Sequence, residues 1–135
     1  MINQDKGAIS MQLIHTTNAP APGGHYSQAS RVGDFVFTAG QIGVDPSTGE
    51  TPSDFREEVR QSLKNLKAVL AESGAEIGDV VRTMCLLTDI ESFAIFNEEY
   101  AAFFGDHKPA RSTFGIALAG GFTVEVEAIA FVGDK

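Results

Sequence analysis

The hydrophobic positions along the chain follow two rhythms, one near 3.6 residues and one of two. Phe55, Val59, Leu63, Leu66 and Leu70 recur at spacings of three and four, which lays one apolar stripe along a helix. Thr51 or Ser53 offers a cap with Pro52 in the first turn, and Gly74 marks the end. The other face carries Arg56, Arg60, Lys64 and Lys67 and is expected to be solvated. A second stripe of Phe93, Phe96, Tyr100, Phe103 and Phe104 predicts a helix capped by Ser92, closed by Gly105 and packed beside the first.

The period-2 segments predict strands. Residues 12–16 read as a short one, followed by a Pro- and Gly-rich loop at 18–24 that delivers His25 and Tyr26. Residues 34–40 are aromatic and β-branched, and Asp45-Pro46-Ser47-Thr48-Gly49 is a tight turn before the first helix. The near-continuous apolar run at 79–88 has the pattern of a strand buried on both faces. Residues 111–118 and 122–132, joined by Ala119-Gly120-Gly121, predict a hairpin. In its second strand Phe122, Val124, Val126, Ala128 and Ala130 point one way, and Thr123, Glu125, Glu127, Ile129 and Phe131 the other. A lone subunit would expose that mixed second face, and a subunit interface containing a polar pocket reconciles its acids with its large apolar groups.

Length and composition narrow the class. The chain of 135 residues fits one domain, placed at 12–135 behind a polar, aperiodic stretch at 1–11 that is expected to be a flexible extension. A hydrophobic content of 43% suits a packed globule. The net charge of −8, without any Lys/Arg run, makes nucleic acid a poor partner. The single cysteine, Cys85, cannot form an internal disulfide and suits a reduced, cytoplasmic setting. No apolar run approaches the roughly 20 residues of a membrane span.

The candidate chemistry centres on Lys108-Pro109-Ala110-Arg111-Ser112-Thr113 and on Glu125, fourteen residues beyond the arginine. Arg111 can hold a small carboxylate bidentately, or it can form a structural salt bridge to Glu125 or Glu127; both readings stay open. Glu125 can take a proton from water if burial and a neighbouring arginine tune its pKa, with Glu127 as competitor. Tyr26 can orient a ligand through its hydroxyl or simply pack. Asn97, set within an apolar helical stripe, reads as a buried amide that fastens a loop. His15, His25 and His107 are isolated, with no Glu or Cys at ligand spacing, so no metal site is expected. Cys85 reads as an inert core thiol, and neither Ser27 nor Ser112 sits in a nucleophile elbow.

Taken in order, His25-Tyr26-Ser27-Gln28-Ala29, Thr38-Ala39-Gly40-Gln41-Ile42, Asp45 to Glu50, Asn65-Leu66-Lys67, Phe96 to Tyr100, Lys108 to Thr113 and Glu125 to Ala130 resemble the RidA/YjgF family over about residues 12 to 132. The resemblance implies a chorismate-mutase-like α+β fold, a mixed β-sheet with two helices on one face, assembled as a homotrimer with sites between subunits. It implies hydrolysis of enamines and imines such as 2-aminoacrylate and 2-iminopropionate to a 2-keto acid and ammonia. By the same resemblance Arg111 binds the substrate carboxylate and Glu125 positions water, with Tyr26, Asn97, Thr113 and Ala39 around the substrate. No cofactor is implied, since an imine carbon is already electrophilic and one oriented water suffices.

The chain departs from the family pattern at His25, Ala39, Thr113 and Gly115, and it lacks the familiar Leu-Pro in the loop at 117–121. The loss of a hydroxyl at Ala39, together with His25, keeps open a module that binds small 2-keto acids without turnover. The endoribonuclease label attached to the family is a third reading, against which the net charge of −8 counts.

Overall fold

The structure, a computed structural model, describes residues 10–133. The extension expected at 1–11 falls mostly outside the described residues. Six strands are described: β1 (Met11–Ile14), β2 (Ala29–Val32), β3 (Phe35–Thr38), β4 (Val80–Leu87), β5 (Ala110–Gly115) and β6 (Val124–Phe131). They form one mixed sheet in the order β1-β2-β3-β6-β4-β5, antiparallel except for the parallel pair β4/β5. Two helices, α1 (Phe55–Glu72) and α2 (Phe93–Phe104), cover one face.

The helices follow their stripes. Val59, Leu63, Leu66 and Leu70 of α1 are buried against Val124, Val126, Ala128 and Ala130 of β6, and Val36 of β3 joins them. The cap of α1 is Asp54, whose carboxylate accepts the Glu57 N–H at 3.1 Å, and not Thr51 or Ser53. The helix closes as foreseen at Gly74, whose φ of 86° lets the Ala75 N–H turn back to the Leu70 carbonyl. Ser92 stands at the N-cap of α2 as expected, but its side chain makes no capping hydrogen bond; its hydroxyl donates to the Asp89 carbonyl, and Asp89 caps the short 3-10 turn leading into the helix.

Three further expectations need correction. Arg56 and Arg60 are not merely solvated: both reach across to Glu99 of α2, at 2.6 Å each, and clamp the two helices together. The run in β4 is buried on one face only, with Thr83, Cys85 and Leu87 inward and Val81 exposed, because nothing covers the outer face of a single chain. Finally, β5 and β6 are not a hairpin. β6 lies between β3 and β4, while β5 takes the edge beyond β4. All the inward residues of β6 are buried, so the central position suits it; β5 carries Arg111 and has no such inner face. The glycine pair marked a turn but did not choose the partner strand.

The sheet's other face is apolar and uncovered. Phe35, Phe37, Leu13 and Phe114 are 44%, 43%, 63% and 48% exposed, far more large apolar surface than scattered residues account for. Among the described residues no helix is long and apolar enough to cross a membrane.

Candidate active site

The outward side of β6 and the segment after β3 build an open cavity of about 750 Å³, lined among others by Tyr26, Gly40, Gln41, Ala119, Phe122 and Glu125. Its walls are irregular backbone tied down by buried polar side chains. Gln28 accepts the Thr16 N–H at 2.7 Å and donates to the Thr16 and Pro20 carbonyls at 3.0 and 2.9 Å, which fixes the Pro-rich loop. Gln41 exchanges two backbone hydrogen bonds with Val126, at 2.8 and 3.0 Å. From α1, Ser62 donates to the Gln41 carbonyl at 2.7 Å, and Asn65 donates to the Ile42 and Val44 carbonyls at 2.8 Å.

Glu125 stands at the wall with no hydrogen bond or salt bridge to its carboxylate among the described residues. Burial, and then the charge of Glu127 on the same strand face, push its pKa above the ordinary 4.5. Gly40 lies directly under it: a Cβ there would collide with the carboxylate, so only glycine leaves Glu125 its place. Tyr26, half exposed, accepts the Gly23 N–H on its phenolic oxygen at 3.1 Å. Ala39 adjoins the cavity, with its N–H bonded to the Gln28 carbonyl at 2.8 Å.

A second cluster lies on the opposite face. Arg111 pairs in register with Thr83, and Glu125 with Leu86, so the two side chains leave the sheet in opposite directions. Of the two readings left open for Arg111, the structural salt bridge to Glu125 or Glu127 is therefore absent. The Arg111 guanidinium lies 4.7 Å from the Tyr100 ring centre and 5.5 Å from that of Phe93, and it donates to the Asn97 Oδ1 at 2.8 Å. Asn97 is exposed rather than buried, because the inward stripe of α2 runs through Phe96, Glu99, Tyr100 and Phe104. Thr113 follows on the same face as Arg111, beside Cys85, and its Oγ1 is buried without a partner among the described residues. The Cys85 thiol is pushed up to about 11 by burial, out of the nucleophilic range. No group of three or more His, Cys, Asp or Glu capable of holding a metal occurs among the described residues.

Residues 16–132 match the model of the family described as Endoribonuclease L-PSP. The chain belongs to this family, which is the RidA/YjgF family of the sequence resemblance. A relative from Pyrococcus abyssi, named as a RutC family protein, is 43% identical over 91% of this chain and 98% of its own. The 2-iminobutanoate/2-iminopropanoate deaminase of Escherichia coli K12 is 44% identical over 88% of this chain and 96% of its own. Among solved structures, a putative endoribonuclease L-PSP from Entamoeba histolytica superposes with a TM-score of 0.88 at 44% identity, covering 90% of this chain and 99% of that one. The six-stranded mixed sheet with two helices is thus the chorismate-mutase-like α+β architecture of the L-PSP family.

Ser62 went unnoticed in the sequence, and Gln28, Phe93 and Tyr100 were named there without the parts they play, Gln28 in tying down the Pro-rich loop and the two rings under Arg111. A signal existed for Ser62 and Asn65. Ser62 stands three residues after Val59 and four before Leu66, and Asn65 three after Ser62 and four before Val69, so both interrupt the apolar face of α1, and a polar group there must find a buried partner.

Proposed function

We propose that this chain hydrolyses small 2-imino acids, of the 2-iminopropanoate and 2-iminobutanoate type, to 2-keto acids and ammonia. One observation carries the reading: the chain presents a desolvated carboxylate without a cation on one face, and a guanidinium without a carboxylate on the other. Each is half of a site for an anionic, electrophilic substrate. Relatives named as deaminases of such imines, similar over nearly their whole length, support the same chemistry.

The halves meet if copies assemble with the Arg111 face of one against the Glu125 cavity of the next. Such a contact is heterologous, so it closes only as a ring. A homotrimer is the ring the family resemblance favours, and its closure would also cover Phe35, Phe37 and Phe114. Arg111, steadied by Asn97 and the two rings, holds the substrate carboxylate. Glu125 in the neighbouring cavity takes a proton from water as the water oxygen bonds to the imine carbon. The C=N π bond opens onto nitrogen, which takes up that proton to give a carbinolamine; the carbinolamine's hydroxyl proton then passes to the nitrogen by way of Glu125 as the C–N bond breaks, so that ammonia leaves and the carbonyl forms. A base with a raised pKa accepts the water proton more readily than an ordinary carboxylate. The enamine form enters after tautomerising to the imine.

Generating 2-iminobutanoate in the presence of the protein should accelerate ammonia and keto-acid release, and Arg111→Ala should lower the acceleration by about 100-fold or more, the loss typical of a missing electrostatic anchor. Equal rates with and without the protein, accompanied by calorimetric binding of 2-ketobutyrate, would replace the deaminase with a keto-acid-binding module.

A further inference from the structure

Glu58 is one of the few acids of the described chain that is almost fully buried, at 5% exposure, and none of the chemistry above uses it. It sits in the first turns of α1, yet its partner is at the far end of the sequence. Its Oε2 accepts the Thr123 backbone N–H at 2.9 Å and its Oε1 accepts the Thr123 hydroxyl at 2.6 Å. Thr123 is the residue before β6, and Glu125 is two residues on. The Thr123 carbonyl meanwhile accepts the Thr88 N–H at 3.1 Å, so this one residue joins α1, β4 and β6. The other cavity wall packs against the backbone and Cγ of the same residue. A Cβ at Gly43 would lie 2.5 Å from the Glu58 carbonyl oxygen and 2.6 Å from its Cγ, so the segment held by Ser62 and Asn65 packs directly on Glu58.

From this geometry we infer that Glu58 is a positioning residue. It latches the start of β6 to α1 and so sets where Glu125 and Phe122 stand in the cavity. This rests on the reading of Glu125 as the base that activates water. The loop before Thr123 contains Gly120 and Gly121, which hold φ values of 82° and 77° and give the loop little stiffness of its own. A two-point bond to a buried side chain supplies what the loop lacks. Neither Glu58 nor Thr123 lines the cavity, so the loss of the latch should appear in the chemical step more than in binding.

The test uses the full chain with Glu58→Ala, Glu58→Gln and Thr123→Val. Glutamine can keep both contacts, its oxygen accepting the N–H and its amide donating to the hydroxyl. Glu58→Ala should lower kcat for 2-iminobutanoate by about tenfold to 100-fold with KM little changed, since a misplacement near 1 Å has that effect. Glu58→Gln should restore most of kcat. A Gln variant as slow as the Ala variant would mean that the charge, not the two-point bond, matters, and would overturn the latch. If Glu58→Ala does not fold, Thr123→Val removes the hydroxyl bond alone, and an unchanged kcat in it overturns the proposal. A crystal structure of the folded variant reads displacement without turnover. Glu125 found unmoved over Gly40 overturns the latch even in an active enzyme, whereas a wild-type protein inactive on every imine overturns only the deaminase reading.

Discussion

Glu99 and Glu125 are both only slightly to partly accessible, and their surroundings treat them in opposite ways. Glu99, in the seam between α1 and α2, receives Arg60 and Arg56, and hydrogen bonds from these two, Arg60 first, hold its pKa below the ordinary 4.5. Glu125, at the cavity wall, receives no cation; burial and the charge of Glu127 push its pKa up. The first carboxylate is more comfortable ionised in the fold than out of it, and the second less. A structural acid and a candidate catalytic acid are told apart here by their partners, because burial alone would have marked both.

The largest expected effect comes from neutralising each in turn. Glu125→Gln should reduce turnover by about 100-fold to 10,000-fold, the range for a lost general base, and should not lower the thermal midpoint. Its raised pKa means that ionisation disfavours the fold: the stability is full below the unfolded pKa and is lost as pH rises through the folded one. An uncharged isostere therefore recovers that stability at neutral pH. Glu99→Gln should do the reverse, leaving kcat within about twofold while lowering the midpoint by about 3 °C as the helix seam loosens. Turnover assays and thermal melts of both variants check the pair; a midpoint that falls in Glu125→Gln breaks the contrast.

Next in size is Gly40→Ala. The added methyl takes the space of the Glu125 carboxylate, so kcat should fall by about tenfold to 100-fold through misplacement alone. A Gly40→Ala enzyme of normal kcat would show that Glu125 works from another position than the one over Gly40. The same substitution leaves the Glu99 seam untouched, so only a small change in the thermal midpoint is expected.

The two regions also differ in how far they could be read from the sequence. The stripes of α1 and α2 were legible because helical periodicity repeats over several turns. The clamp between them was not, since Arg56 and Arg60 carry no mark distinguishing a cross-helix partner from solvent. In the sheet, the alternation along β6 placed Glu125 and Glu127 on the outer face correctly. What failed was the relation to Arg111: the two glycines before β6 suggested a hairpin, and a hairpin would have put the arginine and the acids within one paired unit. Inserting β6 between β3 and β4 depends on burying Val124, Val126, Ala128 and Ala130 against α1, a tertiary preference that no local pattern records. β2 escaped notice because Ala-Ser-Arg-Val is short and half polar, so pairing rather than composition makes it a strand.

The acid dependence of stability sharpens the comparison further. As pH falls from neutral, the contribution of Glu99, present above its unfolded pKa, is lost as its depressed folded pKa is crossed, below 4.5. The disfavoured ionisation of Glu125 is relieved earlier, as pH falls through its raised pKa, above 4.5. Subtracting the melts of Glu125→Gln and of Glu99→Gln from those of the wild type across this range should give differences of opposite slope. Parallel differences would mean that the two carboxylates share one electrostatic setting.

The smallest effect concerns Glu127, which tests the cause of the Glu125 shift rather than its existence. Burial comes first among the causes and the Glu127 charge second, so removing the charge should undo only the lesser part. Glu127→Gln should move the acid limb of the pH profile of kcat/KM to lower pH, because an ionised Glu125 no longer meets a like charge two residues along the same strand face. The plateau rate should stay near the wild-type value, since Glu127 is not needed to deliver the water. Profiles of wild type and variant, measured in one buffer series at constant ionic strength, separate the outcomes. An acid limb that stays put would leave burial as the sole cause. A limb that moves up would mean that Glu127 stabilises the charge on Glu125, against the geometry of two unpaired acids on one face.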